Sequence, residues 1–117
     1  ADLGCGCGYL VKLLREKGCD AWGLEISEYA VRNSCIKPYI RLGDVRDIPF
    51  ASDRFDVVHS QGVWGYFPKE DIQKAWKECN RVGKIQVHNI DCLDDDPTHQ
   101  YLVIESRQWW DRQLYGI

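Results

Sequence analysis

Asp2-Leu3-Gly4-Cys5-Gly6-Cys7-Gly8 sets three glycines at alternate positions, with a carboxylate two residues ahead of the first. Where a strand gives way to a helix, such a run lets a ligand lie against bare backbone, because a Cβ would block both the tight turn and the approach. Taken alone, the spacing also suits an ordinary strand-to-helix turn. Further along, Glu25 is an acid placed where both hydroxyls of a ribose could donate to it, a role acids play about 20 positions beyond dinucleotide fingerprints. Gly43-Asp44-Val45 offers another carboxylate at a turn, although an Asx hydrogen bond would account for Asp44 equally well.

Positioning these residues requires alternating strands and helices. Residues 1–3 read as the stub of a strand ahead of the glycines. Residues 9–17 carry Leu10, Leu13 and Leu14 at helical spacing with charged residues outward, and Gly18 closes the helix. Residues 21–26 form an apolar run that predicts a buried strand, and Ser27 then caps a helix over 28–32. Strands are predicted over 38–42, 55–60 and 84–90. Pro68 is expected at the first position of a helix whose face is Ile72, Ala75, Trp76 and Cys79, and Ser106 is expected to cap a last helix ending at Gly116. Because parallel strands need crossovers and the helices supply them, the pattern predicts a doubly wound α/β domain over 1–117, its mainly parallel sheet covered by helices on both faces. That sheet should be incomplete at both ends, and its unpaired edges could join a second copy of the chain.

With these residues in place, the chain resembles the class I S-adenosylmethionine-dependent methyltransferases over nearly its whole length. The resemblance implies that Asp2 holds the methionine end of the cofactor through its ammonium group, while Gly4, Gly6 and Gly8 let the loop pass beneath methionine and ribose. Glu25 would accept from the ribose hydroxyls, with Ile26 beside it, and Asp44 and the Val45 amide would receive the adenine. Gln61, with Gly62, would border the methionine portion at the end of the fourth strand. Residues 55–67 lack the Asp/Asn-Pro-Pro-aromatic loop of amino-methylating DNA enzymes and the Pro-Cys nucleophile of cytosine C5 enzymes. Asp96-Pro97-Thr98-His99 with Trp109-Trp110 is similar to a branch acting on small molecules or sugars. The turn at 80–84 is shorter than the Pro-Gly-Gly turn common in the family, which leaves the register of the following strand open.

Other reactive residues have plainer readings. His59 and His88 lie inside predicted strands, where satisfied core histidines are the simpler account; Tyr66 reads as a pocket wall and His99 as a loop-ordering residue. The acids Asp91, Asp94, Asp95 and Asp96 read as a solvated loop rather than a hard-cation site. The five tryptophans, Trp109 and Trp110 among them, serve packing as readily as an acceptor pocket. No catalytic base and no metal ligand is assigned.

Composition sets the outer bounds. With 44% hydrophobic and 28% charged residues and a net charge of −3, the 117 residues fit a soluble domain with no broad basic field for nucleic acid and no membrane-length apolar run. Six cysteines without zinc or redox spacing read as reduced thiols, which points to the cytoplasm. The absence of Met and the start inside a loop are the marks of a fragment. The expectation is methyl transfer from S-adenosylmethionine to a small-molecule or sugar-like acceptor. Two alternatives are a non-catalytic binding or regulatory subunit on this fold and a nicotinamide-dependent oxidoreductase, the latter disfavoured by Asp2 and by the lack of a role for Asp44.

Overall fold

Five parallel strands, β1 (Asp2–Leu3), β2 (Gly23–Glu25), β3 (Ile40–Leu42), β4 (Phe55–Gln61) and β5 (Gly83–Asn89), form one sheet in the order β3-β2-β1-β4-β5. The computed structural model describes residues 1–92 and 101–116. Crossovers are made by α1 (Tyr9–Glu16), α2 (Glu28–Arg32) and α3 (Ile72–Val82), and α4 (Arg107–Tyr115) follows β5. The doubly wound α/β expectation is met, and every strand pair is parallel. Register brings the functional ends level: Asp2 lies opposite Gly23 and His59, and Leu3 opposite Leu24 and Ser60.

Local chemistry explains the helix ends. Ser27 Oγ accepts from the Ala30 amide at 3.2 Å, and Ser106 Oγ accepts from the Trp109 amide at 3.2 Å, so both expected caps are present. Gly116, at φ 72°, closes α4. Pro68 departs from expectation. Its ψ of 144° is extended, so it precedes a short 3₁₀ turn at Lys69–Asp71, and α3 starts only at Ile72. The turn expected at 80–84 is also absent, because α3 runs to Val82 and β5 begins at Gly83. Gly83 permits this direct passage: a Cβ there would collide with Cγ2 of Val58.

The main core lies on the α3 side of the sheet, where Leu3, Leu24 and Val58 meet Ile72, Ala75, Cys79 and Val82. Trp64 is its hub, 1% exposed, with edge-on ring contacts to Phe67, Trp76, His88 and Trp110 at centroid distances of 5.2–6.4 Å. A smaller cluster of Val11, Ala21 and Ile40 seats α1. On that face, Val57, Ile85 and Val87 of β4 and β5 remain exposed. Among the described residues, the outer edges of β3 and β5 have no strand partner. No helix among them is long and apolar enough to cross a membrane.

Candidate functional site

The glycine loop leaves β1 and doubles back to start α1. Amides of Gly4 and Cys5 both donate to the Leu24 carbonyl, at 2.8 and 3.0 Å, tying the loop to β2. Gly4 has φ +71°, and a Cβ there would drive into Cγ2 of Val63, so side-chain-free backbone is required on both counts. Gly8, at φ +90°, caps α1, and a Cβ on it would lie 2.8 Å from Ile36 Cγ2.

Glu25 ends β2 directly beside this loop. Its Oε1 accepts from the Gly6 amide at 3.0 Å and its Oε2 from the Ser27 amide at 2.9 Å. The carboxylate therefore joins the glycine loop to the N-terminus of α2, while each oxygen keeps acceptor capacity for a hydroxyl donor. A narrow apolar cleft opens beside it, lined by Gly4, Glu25, Ile26, Asp44, Val45 and Phe67 among others. Five of the residues singled out in the sequence, Gly4, Glu25, Ile26, Asp44 and Val45, thus meet at one cleft. Gly6 and Gly8 shape the loop rather than line it.

Asp44 is in place but already engaged. Its Oδ1 accepts from the Arg46 amide and from Nε, both at 2.9 Å, and its Oδ2 accepts from Nε at 3.1 Å and from Nη2 at 2.7 Å. Arg46 also donates to Asp71 at 2.7 Å. This guanidinium holds the Asp44 carboxyl below the usual carboxylate range. A ring amine reaching Asp44 would have to compete with Arg46, so the Val45 backbone and the apolar walls are the better-placed contacts for a flat base. Sequence reading passed over Arg46. Its signal was an arginine two residues after a turn aspartate.

Gly4 is shared between this cleft and a cavity of about 450 Å³ lined by Asp2, Cys5, Leu10, His59, Gln61, Gly62, Asn89 and Asp91. Asp2 is 8% exposed and its Oδ1 lies 2.9 Å from His59 Nδ1. Burial raises its pKa, with the His59 hydrogen bond opposing. Burial also pushes the Cys5 thiol up to about 12, leaving that thiol protonated at neutral pH. His59, Gln61 and Asn89 are shared with a larger cavity of about 610 Å³ walled by His88, Trp110, Tyr115, Arg107 and Asp111. In that wall, the buried indole N–H of Trp110 has no hydrogen-bond partner among the described residues. Tyr66 is half exposed and lies against Tyr101 at 4.7 Å, outside these linings. Asp94, Asp95, Asp96 and His99 lie outside the described residues, and no group of three metal-ligating side chains occurs among those described.

His88 is a satisfied histidine with its tautomer set by its neighbours. Trp64 Nε1 donates to Ser60 Oγ at 3.0 Å, so the Ser60 hydroxyl is free to donate to His88 Nδ1 at 2.6 Å. Gln86 spends its amide hydrogens on the Cys79 and Gly83 carbonyls, so its oxygen accepts from His88 Nε2 at 2.9 Å. Burial pushes the imidazole down to about 4. An unfolded histidine takes its proton near pH 6.5, so through the window from there to about 4 only the unfolded chain binds it. This stability is complete above the window and is lost as pH falls through it. Urea titrations should show a loss of about 2 kcal/mol between about pH 7 and about pH 4.5, discounted because the ring is only partly buried. His88→Leu should lower stability throughout and flatten that slope; an unchanged slope would remove His88 as its source.

Comparison with known proteins decides what this cleft belongs to. Residues 1–88 match the model of a methyltransferase domain family. The chain belongs to that methyltransferase family. Its cofactor is accordingly S-adenosylmethionine, and the nicotinamide alternative is set aside. The PH0226 protein of Pyrococcus horikoshii is 29% identical with a TM-score of 0.63, the match covering 71% of this chain and 42% of that one. The YcgJ protein of Bacillus subtilis is 19% identical at a TM-score of 0.75, over 96% of this chain and 57% of its own. An S-adenosylmethionine-dependent methyltransferase from Clostridium acetobutylicum is 22% identical at 0.62, over 71% and 37%. The chain therefore spans less than two thirds of each of these structures. No curated protein matches.

The residues present are compatible with this cofactor: a narrow apolar cleft, an acid with spare acceptor capacity beside a glycine loop, and a buried carboxyl in the neighbouring cavity. The one departure is Asp44, whose oxygens Arg46 already occupies.

Proposed function

We propose that the protein transfers a methyl group from S-adenosylmethionine to a small-molecule or sugar-like acceptor. The observation that supports this reading is the shared lining of neighbouring spaces: Gly4 lines both the Glu25 cleft and the Asp2 cavity, and His59, Gln61 and Asn89 line both that cavity and the larger one. At about 610 Å³ that outer space has the size of a small-molecule site. When bound, S-adenosylmethionine supplies a sulfonium methyl that is already electrophilic. The work left to the protein is alignment and exclusion of water.

In this reading Glu25 takes the ribose hydroxyls, Ile26 and Val45 flank the base, and Gly4, Gly6 and Gly8 keep the loop clear. Asp2 takes the ammonium, and Gln61 stands where the methionine portion meets the acceptor. Asn89 and His59 border both cavities and so lie at the same junction.

Calorimetric titration of the chain with S-adenosylmethionine and S-adenosylhomocysteine tests the cofactor pocket, with NAD as control. Micromolar affinity for the first two and none for NAD is expected; no binding by a folded sample would refute it. Transfer of label from methyl-labelled S-adenosylmethionine into low-molecular-weight material of a cell extract tests the acceptor class. Label confined to protein or nucleic acid would overturn the small-molecule acceptor.

A further inference from the structure

Asp2 presents a problem that its role as an ammonium grip must solve. A carboxylate this buried is costly to keep charged, and burial alone favours the neutral acid, which has little attraction for an ammonium. A second difficulty is aim, since a short carboxylate at a strand end can rotate away from its target. Both difficulties meet at His59, which lies opposite Asp2 in the β1–β4 register and contacts Oδ1 through Nδ1 at 2.9 Å.

We propose that His59 is a positioning residue for the cofactor: its Nδ1–H holds Oδ1 of Asp2, keeping the carboxylate ionised and turned so that Oδ2 is left for the ammonium of the methionine end. The inference rests on the cofactor reading above and adds to it a residue with no assigned role.

Several observations bear on it. An ionised carboxylate only accepts, so the proton of this bond sits on His59 Nδ1. Among the described residues, Oδ2 of Asp2 accepts no hydrogen bond, and Asp2 lines the cavity that carries the glycine loop. The other charged and titratable groups nearby do not replace His59. Glu25 raises the cost of a charge on Asp2, Cys5 is a protonated thiol, and His88 is bound to Ser60 and Gln86. Asp91 across the cavity is a further acid, bonded to Tyr101. From α1, the residues facing this place are the apolar Leu10 and Leu14. The chain's amino group favours the charge on Asp2 but donates its hydrogen bond to the Val57 carbonyl, at 2.7 Å, so it does not aim the carboxylate.

The test compares two ligands on three proteins. S-adenosylmethionine carries the ammonium; 5′-methylthioadenosine keeps the adenosine and the sulfur and lacks the amino-acid end. In calorimetric titrations, His59→Leu should weaken S-adenosylmethionine about tenfold, the size of one lost hydrogen bond to a charged group, and leave 5′-methylthioadenosine within about twofold. His59→Asn places an amide N–H where Nδ1–H was, and should restore most of the loss. Equal weakening of both ligands, or no weakening of either, would overturn the proposal. If neither ligand binds the wild-type chain, the cofactor reading fails and takes this inference with it. Nitrogen NMR of the wild-type imidazoles gives a readout independent of variant folding: a protonated Nδ1 on His59 is expected, and a bare Nδ1 refutes the arrangement.

Discussion

Glu25→Ala should lower the affinity for S-adenosylmethionine about 100-fold. This size follows from the proposed ribose contact, in which two hydroxyls would lose a charged acceptor, each such bond being worth about 1.5–3 kcal/mol and partly replaced by water. The same carboxylate receives the amides of Gly6 and Ser27, so its removal also frees the glycine loop from α2. The variant should therefore lose thermal stability as well as affinity. Glu25→Gln should fall between, since one oxygen remains while its NH₂ group faces an amide that also donates. Asp44→Ala provides the contrast. Because Arg46 already holds both Asp44 oxygens, this change should cost less in affinity and more in stability, leaving Arg46 with Asp71 alone. Titration of the three variants checks the order, and an Asp44→Ala loss exceeding that of Glu25→Ala would reverse the assignment of the two acids.

A second large effect is expected in the core. Trp64→Leu should destabilise the protein by about 3–4 kcal/mol in urea titration, within the range for shortening a large buried side chain. The indole is 1% exposed and is in edge contact with Phe67, Trp76, His88 and Trp110. Its N–H also fixes the direction of the bonds from Ser60 through His88 to Gln86. Leucine would open a cavity and leave Ser60 one donor short. Since domains of this size are stable by only about 5–15 kcal/mol, a large share of the total would be lost. A change below about 1 kcal/mol would show that the ring cluster repacks freely and is not the hub described above.

The alternation of strands and helices was legible in the sequence because each element carries its own period and its own stops. Leu10, Leu13 and Leu14 mark α1, Gly18 ends it, and Ser27 and Ser106 cap where they were expected to cap. Pro68 was misplaced because a proline suits an extended residue before a turn as well as the first turn of a helix, and local sequence does not separate the two. The start of β5 at Gly83 was equally hidden, since it depends on Val58 of a neighbouring strand.

For the site, residue types at short range imply that a side-chain-free loop precedes a helix and that an acid ends the next strand. These are statements about residue identity at short range, and the backbone chemistry of glycine and the acceptor chemistry of carboxylates suffice to make them. How the carboxylates are employed depends on the folded arrangement. Asp2 and His59 are 57 positions apart, Ser60 and His88 28, and Arg46 and Asp71 25. Strand register brings the first two pairs within hydrogen-bond reach, and the loop after β3 meeting the 3₁₀ turn before α3 brings the third. Asp44, read as an adenine acceptor or as the acceptor of an Asx turn, makes that turn with its near neighbour Arg46 and is tied through it to Asp71, while one of two histidines read alike becomes a neutral, hydrogen-bonded group and the other stands against a buried carboxyl.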